Sequence, residues 1–364
     1  MTKTQAIGLQ RIAYGLIIFV ICIYGLYILQ DILIPFIIAG LFSFLLFPIT
    51  NFFEKKGLNR VLSITITIII SVIFLGIASY FIVSQILELE TLIPMIEKKS
   101  VVWFTEFEKM LRHNFRISHT QLISESQKYV TEILKNSTKI VSQTLSSTSN
   151  FLMNFSLLPL YIFLFLLYRD FLRTFIFKLM KTSSKHKISI TISKVNDVIK
   201  NYLVGLLLVI MIVGFLNTAS LMVLGIQNAV FFGFFAAILV LIPYIGIAIG
   251  SALPILVALI TKDSYWYAVG VAGSFAAVQF LEGNFITPMV VGNKVSINSL
   301  VAIIALLLFG NLWGVSGLIL ALPLTAILKV IFDSSEHLKA WGFLLGDADH
   351  KDVAETRKKF KLRF

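Results

Sequence analysis

The residue best suited to chemistry in this sequence is a single acid, Glu282, in a stretch that is otherwise almost uncharged. It lies at the end of the run YWYAVGVAGSFAAVQFLEGN. Between Asn201 and Leu328 the charged residues are only Lys262, Asp263, Glu282 and Lys294. A carboxylate near membrane depth is costly, so it is by default a functional hypothesis, with proton or cation binding as its chemistry. The alternative is structural: Glu282 caps the helix end or pairs with Lys294 in an interfacial loop.

Polar side chains that could bind a small ligand lie near this acid in the sequence. Gln279, Asn284 and Thr287 flank Glu282, and Asn311 lies in the next apolar run. Amide and hydroxyl groups can hydrogen-bond a polar solute in a dry site. We therefore predict Glu282, Gln279, Asn284, Thr287 and Asn311 as substrate-binding or ion-coupling residues.

Glycine and proline interrupt two long apolar runs on either side of these residues. The interrupting residues are Pro243, Gly246, Gly250 and Pro254 in the first run, and Gly310, Gly314, Gly317 and Pro323 in the second. In a bilayer such breaks persist only where protein or a wet cavity satisfies the freed backbone groups. Paired interruptions of this kind point to a transporter's binding site, so we predict that both converge beside the acid. The alternative is close helix packing, since Gly246 and Gly250 form a GxxxG pair.

Several classes of function lack their sequence signatures. There is no GxSxG elbow, HExxH pair, Walker loop or dinucleotide fingerprint, so we predict neither an enzyme nor an ATP-driven pump. The five histidines lie apart in polar segments, which predicts no metal site, and no cofactor is indicated. The net charge of +12 lies mostly between apolar runs, where it sets membrane orientation and does not indicate nucleic-acid binding.

The hydropathy pattern predicts an all-α polytopic membrane protein. The chain is 57% hydrophobic and only 14% charged, whereas soluble domains carry roughly 25% charged residues. We expect about eight transmembrane helices, with Gly/Pro-broken or re-entrant segments in the C-terminal half. The apolar runs are Ile12–Leu29, Ile32–Ile49, Val61–Val83, Phe151–Tyr168, Tyr202–Leu224, Ala229–Ile260, Tyr265–Leu281 and Leu300–Phe332.

Basic residues in the loops predict the orientation. They cluster before Ile12, in 55–60, in 169–200 and in the C-terminal tail, which places these segments and both termini in the cytoplasm. Two termini on the same side require an even number of spans, so part of the last run, about Leu300 to Phe309, must be a re-entrant half-helix. Trp313–Phe332 is then the final span of a protein in the bacterial cytoplasmic (inner) membrane.

Four regions follow from this layout. Residues 1–85 form an N-terminal three-span region, and 86–150 form an extracytoplasmic segment of amphipathic helices. Residues 151–332 form a C-terminal transport core that includes a cytoplasmic amphipathic segment, 169–200, and 333–364 form a charged cytoplasmic tail. The external helices either pack on each other or on the membrane surface, or they contact a neighbouring subunit.

The C-terminal third resembles the AI-2E family of bacterial membrane transporters, the autoinducer-2 exporter-like permeases. The strings that carry this resemblance are LIPYIGIAIGSALPILVAL (241–259) and QFLEGNFITPMVVGNKVSINSLVAIIALLLFGNLWGVSGLILALPL (279–324). The resemblance extends the broken-helix or hinge residues to Gly283 and Pro288, beside those of the two interrupted runs. It implies either export of the quorum-sensing signal autoinducer-2 or Na⁺(Li⁺)/H⁺ antiport, since members of both kinds are described.

Three functions therefore stay open from the sequence. The first is a secondary transporter that exports a small polar solute, with autoinducer-2 as one candidate, by alternating access. The second is a Na⁺(Li⁺)/H⁺ antiporter in which Glu282 binds the proton and the cation in turn. The third is a non-transporting oligomeric membrane scaffold or channel. The expected partners are the lipid bilayer and either the solute or a monovalent cation and proton, with homo-oligomer formation open.

Overall fold

The structure is a computed structural model that describes residues 3–90, 99, 157–179, 185–242, 245–290 and 297–346. These residues are almost entirely helical, and the one extended contact among them is an isolated bridge between Ile297 and Gly346. The helices are α1 Lys3–Ile28, α2 Gln30–Lys55, α3 Arg60–Glu90, α4 Leu157–Leu167, α5 Arg169–Leu179, α6 Lys185–Val223, α7 Ala229–Leu239, α8 Ile245–Thr261, α9 Trp266–Leu281, a π-turn Glu282–Ile286, α10 Thr287–Val290, α11 Ser299–Ser334 and α12 Lys339–Leu345. Helices suit this sequence because, in lipid, every backbone group must be satisfied within its own segment.

The helices confirm the predicted all-α, multi-pass membrane class. Among the described residues, five are long and apolar enough to cross a bilayer: α2, α3, α6, α9 with its continuation through α10, and α11. Shorter apolar helices accompany them. Most of the predicted external segment, 86–150, lies outside the described residues.

The chain divides into two compact units. One comprises residues 1–68, 154–206 and 291–364, and the other comprises 69–153 and 207–290. Helices α3 and α6 each contribute to both units. The predicted acid and its neighbours in the sequence belong to the second unit, whereas Asn311 and the second interrupted run belong to the first.

In the second unit, the first interrupted run is a tight helical hairpin. Helix α7 ends at Leu239 and α8 returns from Ile245. A Cβ on Gly246 would lie 1.8 Å from the Leu239 carbonyl oxygen, and one on Gly250 would lie 2.8 Å from the Ala236 Cβ. The arms are therefore in backbone contact, and α7, about 16 Å long, is too short to cross the bilayer alone.

In the first unit, α11 also folds back on itself. Trp313 and Gly314 leave helical geometry, and Gly314 has φ +59° and ψ −137°, which favours glycine. A Cβ on Gly317 would lie 1.8 Å from the Phe309 carbonyl oxygen, and one on Gly310 would lie 2.8 Å from the Leu318 side chain. The predicted break in the last apolar run is thus confirmed, and it lies at residues 313–314.

A bend between α1 and α2 binds the tip of this second hairpin. Leu29 alone separates the two helices. The Trp313 indole Nε1–H donates to the Leu26 carbonyl at 3.1 Å, close to the bend. Helix ends leave carbonyls without an intrahelical donor, so this bond satisfies an acceptor that lipid could not.

Two ion pairs tie the residues on either side of the α2–α3 connection to the start of α5. Arg169 donates to both carboxylate oxygens of Glu54, at 3.1 and 2.6 Å, and the two side chains are 26% and 18% exposed. Arg60 donates to Asp170 at 2.7 Å and to the Leu166 carbonyl at 2.8 Å. A two-pronged, mostly buried arginine–carboxylate pair is the stronger kind of ion pair.

Replacing Arg169 by Gln should destabilise the first unit. Bonds to charged groups contribute about 1.5–3 kcal/mol, and the change leaves the Glu54 carboxylate half-buried without its cation. The thermal midpoint in detergent should fall by several degrees. Glu336→Gln is the matched control, because its pair with Lys187 is 53% and 73% exposed, and it should change the midpoint little. Equal effects of the two substitutions would contradict this ranking.

The C-terminal end of α12 is bound to the start of α11 through Asn298. The Asn298 Oδ1 accepts from the Val301 N–H at 2.9 Å and so caps α11. Its Nδ2 donates to the carbonyls of Leu344 and Gly346 at 2.7 and 2.9 Å.

A second contact near the end of α11 joins Glu336 to Lys187. The hydrogen bond from Lys187, and then the lysine's charge, hold the pKa of Glu336 below its ordinary value. The stabilisation from the Lys187–Glu336 pair is therefore fully present at a pH above the ordinary pKa of a glutamate, and it is lost as the pH falls through the lowered pKa.

Two substitutions separate the functions of Asn298. Asn298→Asp keeps the cap but loses both Nδ2 bonds, so the C-terminal segment should be cleaved faster in limited proteolysis with little change in α11. Asn298→Ala loses both functions and should cost an additional 1 kcal/mol, approximately, for the cap. Proteolysis rates and thermal midpoints measure the two effects. Wild-type cleavage in both variants would show that Asn298 does not hold the segment.

Candidate functional site

Glu282 begins a π-turn in the middle of a longer helix. The helix runs from Trp266 through the π-turn Glu282–Ile286 to Val290. The Thr287 N–H donates to the Glu282 carbonyl, which is the i→i+5 bond of a π-helix. Glu282 is therefore not a cap at a free helix end, because the helix continues past it. Single π-turns of this kind occur frequently at functional sites.

The π-turn decides which side chains reach the carboxylate. In an α-helix, residues five apart point roughly 140° away from each other, but the wider π register brings them together. The Thr287 hydroxyl accordingly donates to Glu282 Oε1, and the Gln279 Nε2 amide donates to Oε2 at 2.7 Å. Glu282 is only 9% exposed, so these two bonds are its main stabilisation.

The carboxylate has neutral partners and no cationic one within the described ranges. The ion pairs found there join other acids to their lysines and arginines. Lys294, the sequence-based alternative partner, lies outside the described residues. A buried carboxylate that accepts only from an amide and a hydroxyl keeps the ability to take up a proton or a small cation.

The remaining predicted polar residues are arranged differently. The Asn284 Nδ2 donates to the Phe280 carbonyl and the Asn311 Nδ2 to the Leu307 carbonyl, both at 2.8 Å, and both side chains are exposed. Their amides thus bond to their own helix backbones. The structure brings together Glu282, Gln279 and Thr287, and Asn311 belongs to the other unit.

Four of the ten predicted broken-helix residues have a packing function that the geometry makes visible. Gly246, Gly250, Gly310 and Gly317 allow hairpin arms to touch, and Gly314 forms a hairpin tip. Pro254 and Pro323 are buried within helices, whereas Gly283 and Pro288 are exposed, with nothing within 4 Å of a Cβ on Gly283. Pro243 lies outside the described residues.

A small cavity next to Gln279 adds a residue that the sequence analysis did not predict, Asn217 of α6. The cavity is lined by Val213, Asn217, Ala236, Val240, Ile247, Phe275, Val278 and Gln279. Asn217 is 3% exposed, and its Oδ1 has no hydrogen-bond partner within the ranges that the structure describes. The available signal was an asparagine inside the apolar run Tyr202–Leu224, which is as unusual in lipid as the acid itself.

Apolar helices, two helical hairpins and a buried carboxylate on an interrupted helix define the chain as a multi-pass membrane protein. The sequence model of one family, described as AI-2E family transporter, matches residues 16–337. The chain belongs to this family.

Three relatives with transport names are similar to this chain over most of its length. YrrI of Bacillus subtilis (strain 168), provisionally named a transport protein, is 28% identical over 84% of this chain and 86% of its own length. YhhT of Escherichia coli (strain K12), with the same provisional name, is 23% identical over 90% and 91%. The AI-2 transport protein TqsA of Escherichia coli (strain K12) is 23% identical over 92% and 95%.

Proposed function

We propose that this protein is a secondary transporter that exports a small polar solute across the bacterial cytoplasmic membrane by alternating access. The observation that carries the proposal is the buried carboxylate of Glu282, which Gln279 and Thr287 hold and which has no cationic partner among the described residues. A carboxylate in this environment can bind and release a proton or a small cation during a transport cycle. Autoinducer-2 is the candidate solute, because one relative is named as its transporter.

Na⁺(Li⁺)/H⁺ antiport is the second candidate, and the same observation favours it. An antiporter needs a group that binds a proton and a cation alternately, and Glu282 offers a carboxylate whose two bonds come from neutral donors. Oxygen ligands suit Na⁺ and Li⁺ as hard cations. The two candidates differ in what crosses the membrane: the exporter moves a small polar solute, whereas the antiporter moves only a cation and a proton.

Transport in proteoliposomes distinguishes these candidates. Purified protein is reconstituted, and uptake of labelled autoinducer-2 is measured beside the Na⁺-driven change of an internal pH dye, with protein-free liposomes as the control. Solute flux that Na⁺ leaves unchanged supports the exporter, and a Na⁺-driven pH signal without solute flux supports the antiporter. Assembly without either flux would overturn both and favour the oligomeric scaffold or channel.

The proposed arrangement in the membrane places both termini and residues 169–200 in the cytoplasm and 86–150 outside. The distribution of lysine and arginine supports it. Cys22 is the chain's one cysteine, so a Cys22→Ser background allows single cysteines to be introduced and labelled from one side. A cysteine in 86–150 that is labelled only after the membrane is permeabilised would contradict this arrangement.

A further inference from the structure

The cavity between α6 and α9 contains a buried acceptor without a donor in the described part of the chain. The Asn217 Oδ1 has no hydrogen-bond partner there, and the residue is 3% exposed. A buried polar group left unsatisfied costs about 1–3 kcal/mol, so a native protein seldom keeps one without a compensating ligand or water. The position of Asn217 on the wall of a cavity indicates where such a donor would lie.

The cavity has the size and polarity for one water molecule. Its volume is about 10 Å³ for the centre of a water, close to the roughly 10–15 Å³ that one water requires. Of the side chains that line it, Asn217 and Gln279 are the two that can hydrogen-bond. A buried water needs at least two polar partners, and these two side chains satisfy that condition.

Glu282 determines which end of the Gln279 amide is available to this water. Gln279 donates its Nε2 to Glu282 Oε2 at 2.7 Å, so the amide nitrogen faces the carboxylate. The Gln279 Oε1 is then the remaining acceptor of that side chain. Asn217 Oδ1 and Gln279 Oε1 form a pair of acceptors, and a water with two O–H donors complements such a pair.

We propose that this cavity binds one ordered water that donates to Asn217 Oδ1 and to Gln279 Oε1. The result is a continuous chain, Asn217–water–Gln279–Glu282, that joins α6 to the π-turn. A bare cation fits the cavity less well, because hard cations gather about six oxygen ligands and the other lining side chains are apolar. The functional consequence rests on the proposed function: Asn217 becomes a positioning residue that holds the Gln279 amide toward Glu282.

Thermal midpoints test the water without any transport measurement. If the cavity is hydrated, Asn217→Leu breaks the chain and should lower the midpoint by about 2–6 °C. If it is dry, the same change removes an unpaired buried acceptor and should raise the midpoint, which would overturn the proposal. Asn201→Leu is the matched control, since it makes the same change earlier on α6 at a partly exposed position.

A double-mutant cycle tests whether the two amides share the water. The losses of stability caused by Asn217→Leu and Gln279→Leu should not add. The double variant should be no less stable than the less stable of the two single variants. Additive losses would show that the side chains act separately. For a variant that does not fold, the wild-type density map decides: a water peak between the two oxygens supports the proposal, and an empty cavity refutes it.

Exchange of NaCl for choline chloride separates water from a bound cation. With water in the cavity, any difference between the wild-type midpoints in the two salts at equal ionic strength should persist in Asn217→Leu, because a cation bound at Glu282 would stabilise both proteins. A midpoint that rises with Na⁺ concentration, and that Asn217→Leu makes insensitive to Na⁺, would identify the occupant as the cation and overturn the proposal. Loss of both fluxes in wild type would refute the proposed function but leave these measurements unaffected.

Discussion

Glu282→Gln should reduce transport by about tenfold or more in proteoliposomes, because a bond to a charged group contributes about 1.5–3 kcal/mol and each 1.4 kcal/mol is tenfold. The substitution keeps the size of the side chain but removes its ability to exchange a proton for another ligand. It also replaces one of the two carboxylate oxygens that accept from the Gln279 amide and the Thr287 hydroxyl by an NH₂ group, which donates. The measurement is the initial rate of whichever flux the wild-type protein shows.

Stability must be measured beside the flux to show that the loss is functional. Burial of an unpaired charge is costly, and relief of this cost should offset the weakened hydrogen bonds, so the thermal midpoint of Glu282→Gln should be unchanged or higher. Asp263→Asn is the matched control, since it makes the same chemical change at an exposed position between α8 and α9. A Glu282→Gln protein that transports at the wild-type rate would exclude this residue as the coupling group, whichever substrate is moved.

Much of the architecture was predictable because a bilayer constrains composition strongly. Long uncharged runs give helices, and glycine with proline marks their interruptions, which placed the break in α11 within a few residues of Trp313. The isolation of Glu282 in an apolar stretch predicts a functional acid at this position from the sequence alone. These inferences depend only on residue types and their spacing, and both can be read directly from the sequence.

The details of the site depend on local geometry that spacing does not encode. Thr287 meets Glu282 because the helix has one π-turn, whereas regular α-helical spacing places these residues on different sides. The partner of Asn217 requires knowing that α6 and α9 border one cavity. Asn284 and Asn311 looked equivalent to Gln279 in sequence, but their amides bond to backbone carbonyls four residues earlier.

The glycines of the two hairpins were open to both a binding and a packing interpretation, and the contacts give them a packing function. Gly246 and Gly317 each lie where a Cβ would be 1.8 Å from a backbone oxygen of the opposing arm. A backbone oxygen cannot rotate away as a long side chain can, so the arms themselves must separate. The same pattern in both compact units shows that each interrupted run uses glycine to close a hairpin.

Gly246→Ala and Gly317→Ala should therefore each destabilise the protein by about 3 kcal/mol or more, at the upper end of what overpacking costs. We expect a lower yield of monodisperse protein and a thermal midpoint reduced by several degrees. Gly76→Ala in α3 and Gly273→Ala in α9 are matched controls, because nothing lies within 4 Å of a Cβ at either position. Alanine favours a helix by up to about 1 kcal/mol over glycine, so the controls should be neutral or stabilised.

The comparison of the four variants decides whether the arms are in contact. If Gly246→Ala and Gly317→Ala are as stable as the controls, the hairpins are more open than the structure shows, and room for a methyl group exists at both sites. If only one is destabilised, only that hairpin is closed. Loss at both positions, with transport still measurable in the surviving fraction, would separate the structural function of the glycines from the chemistry at Glu282. The carboxylate site and the hairpins would then be independent requirements, because the first concerns one charge and the second concerns backbone contact.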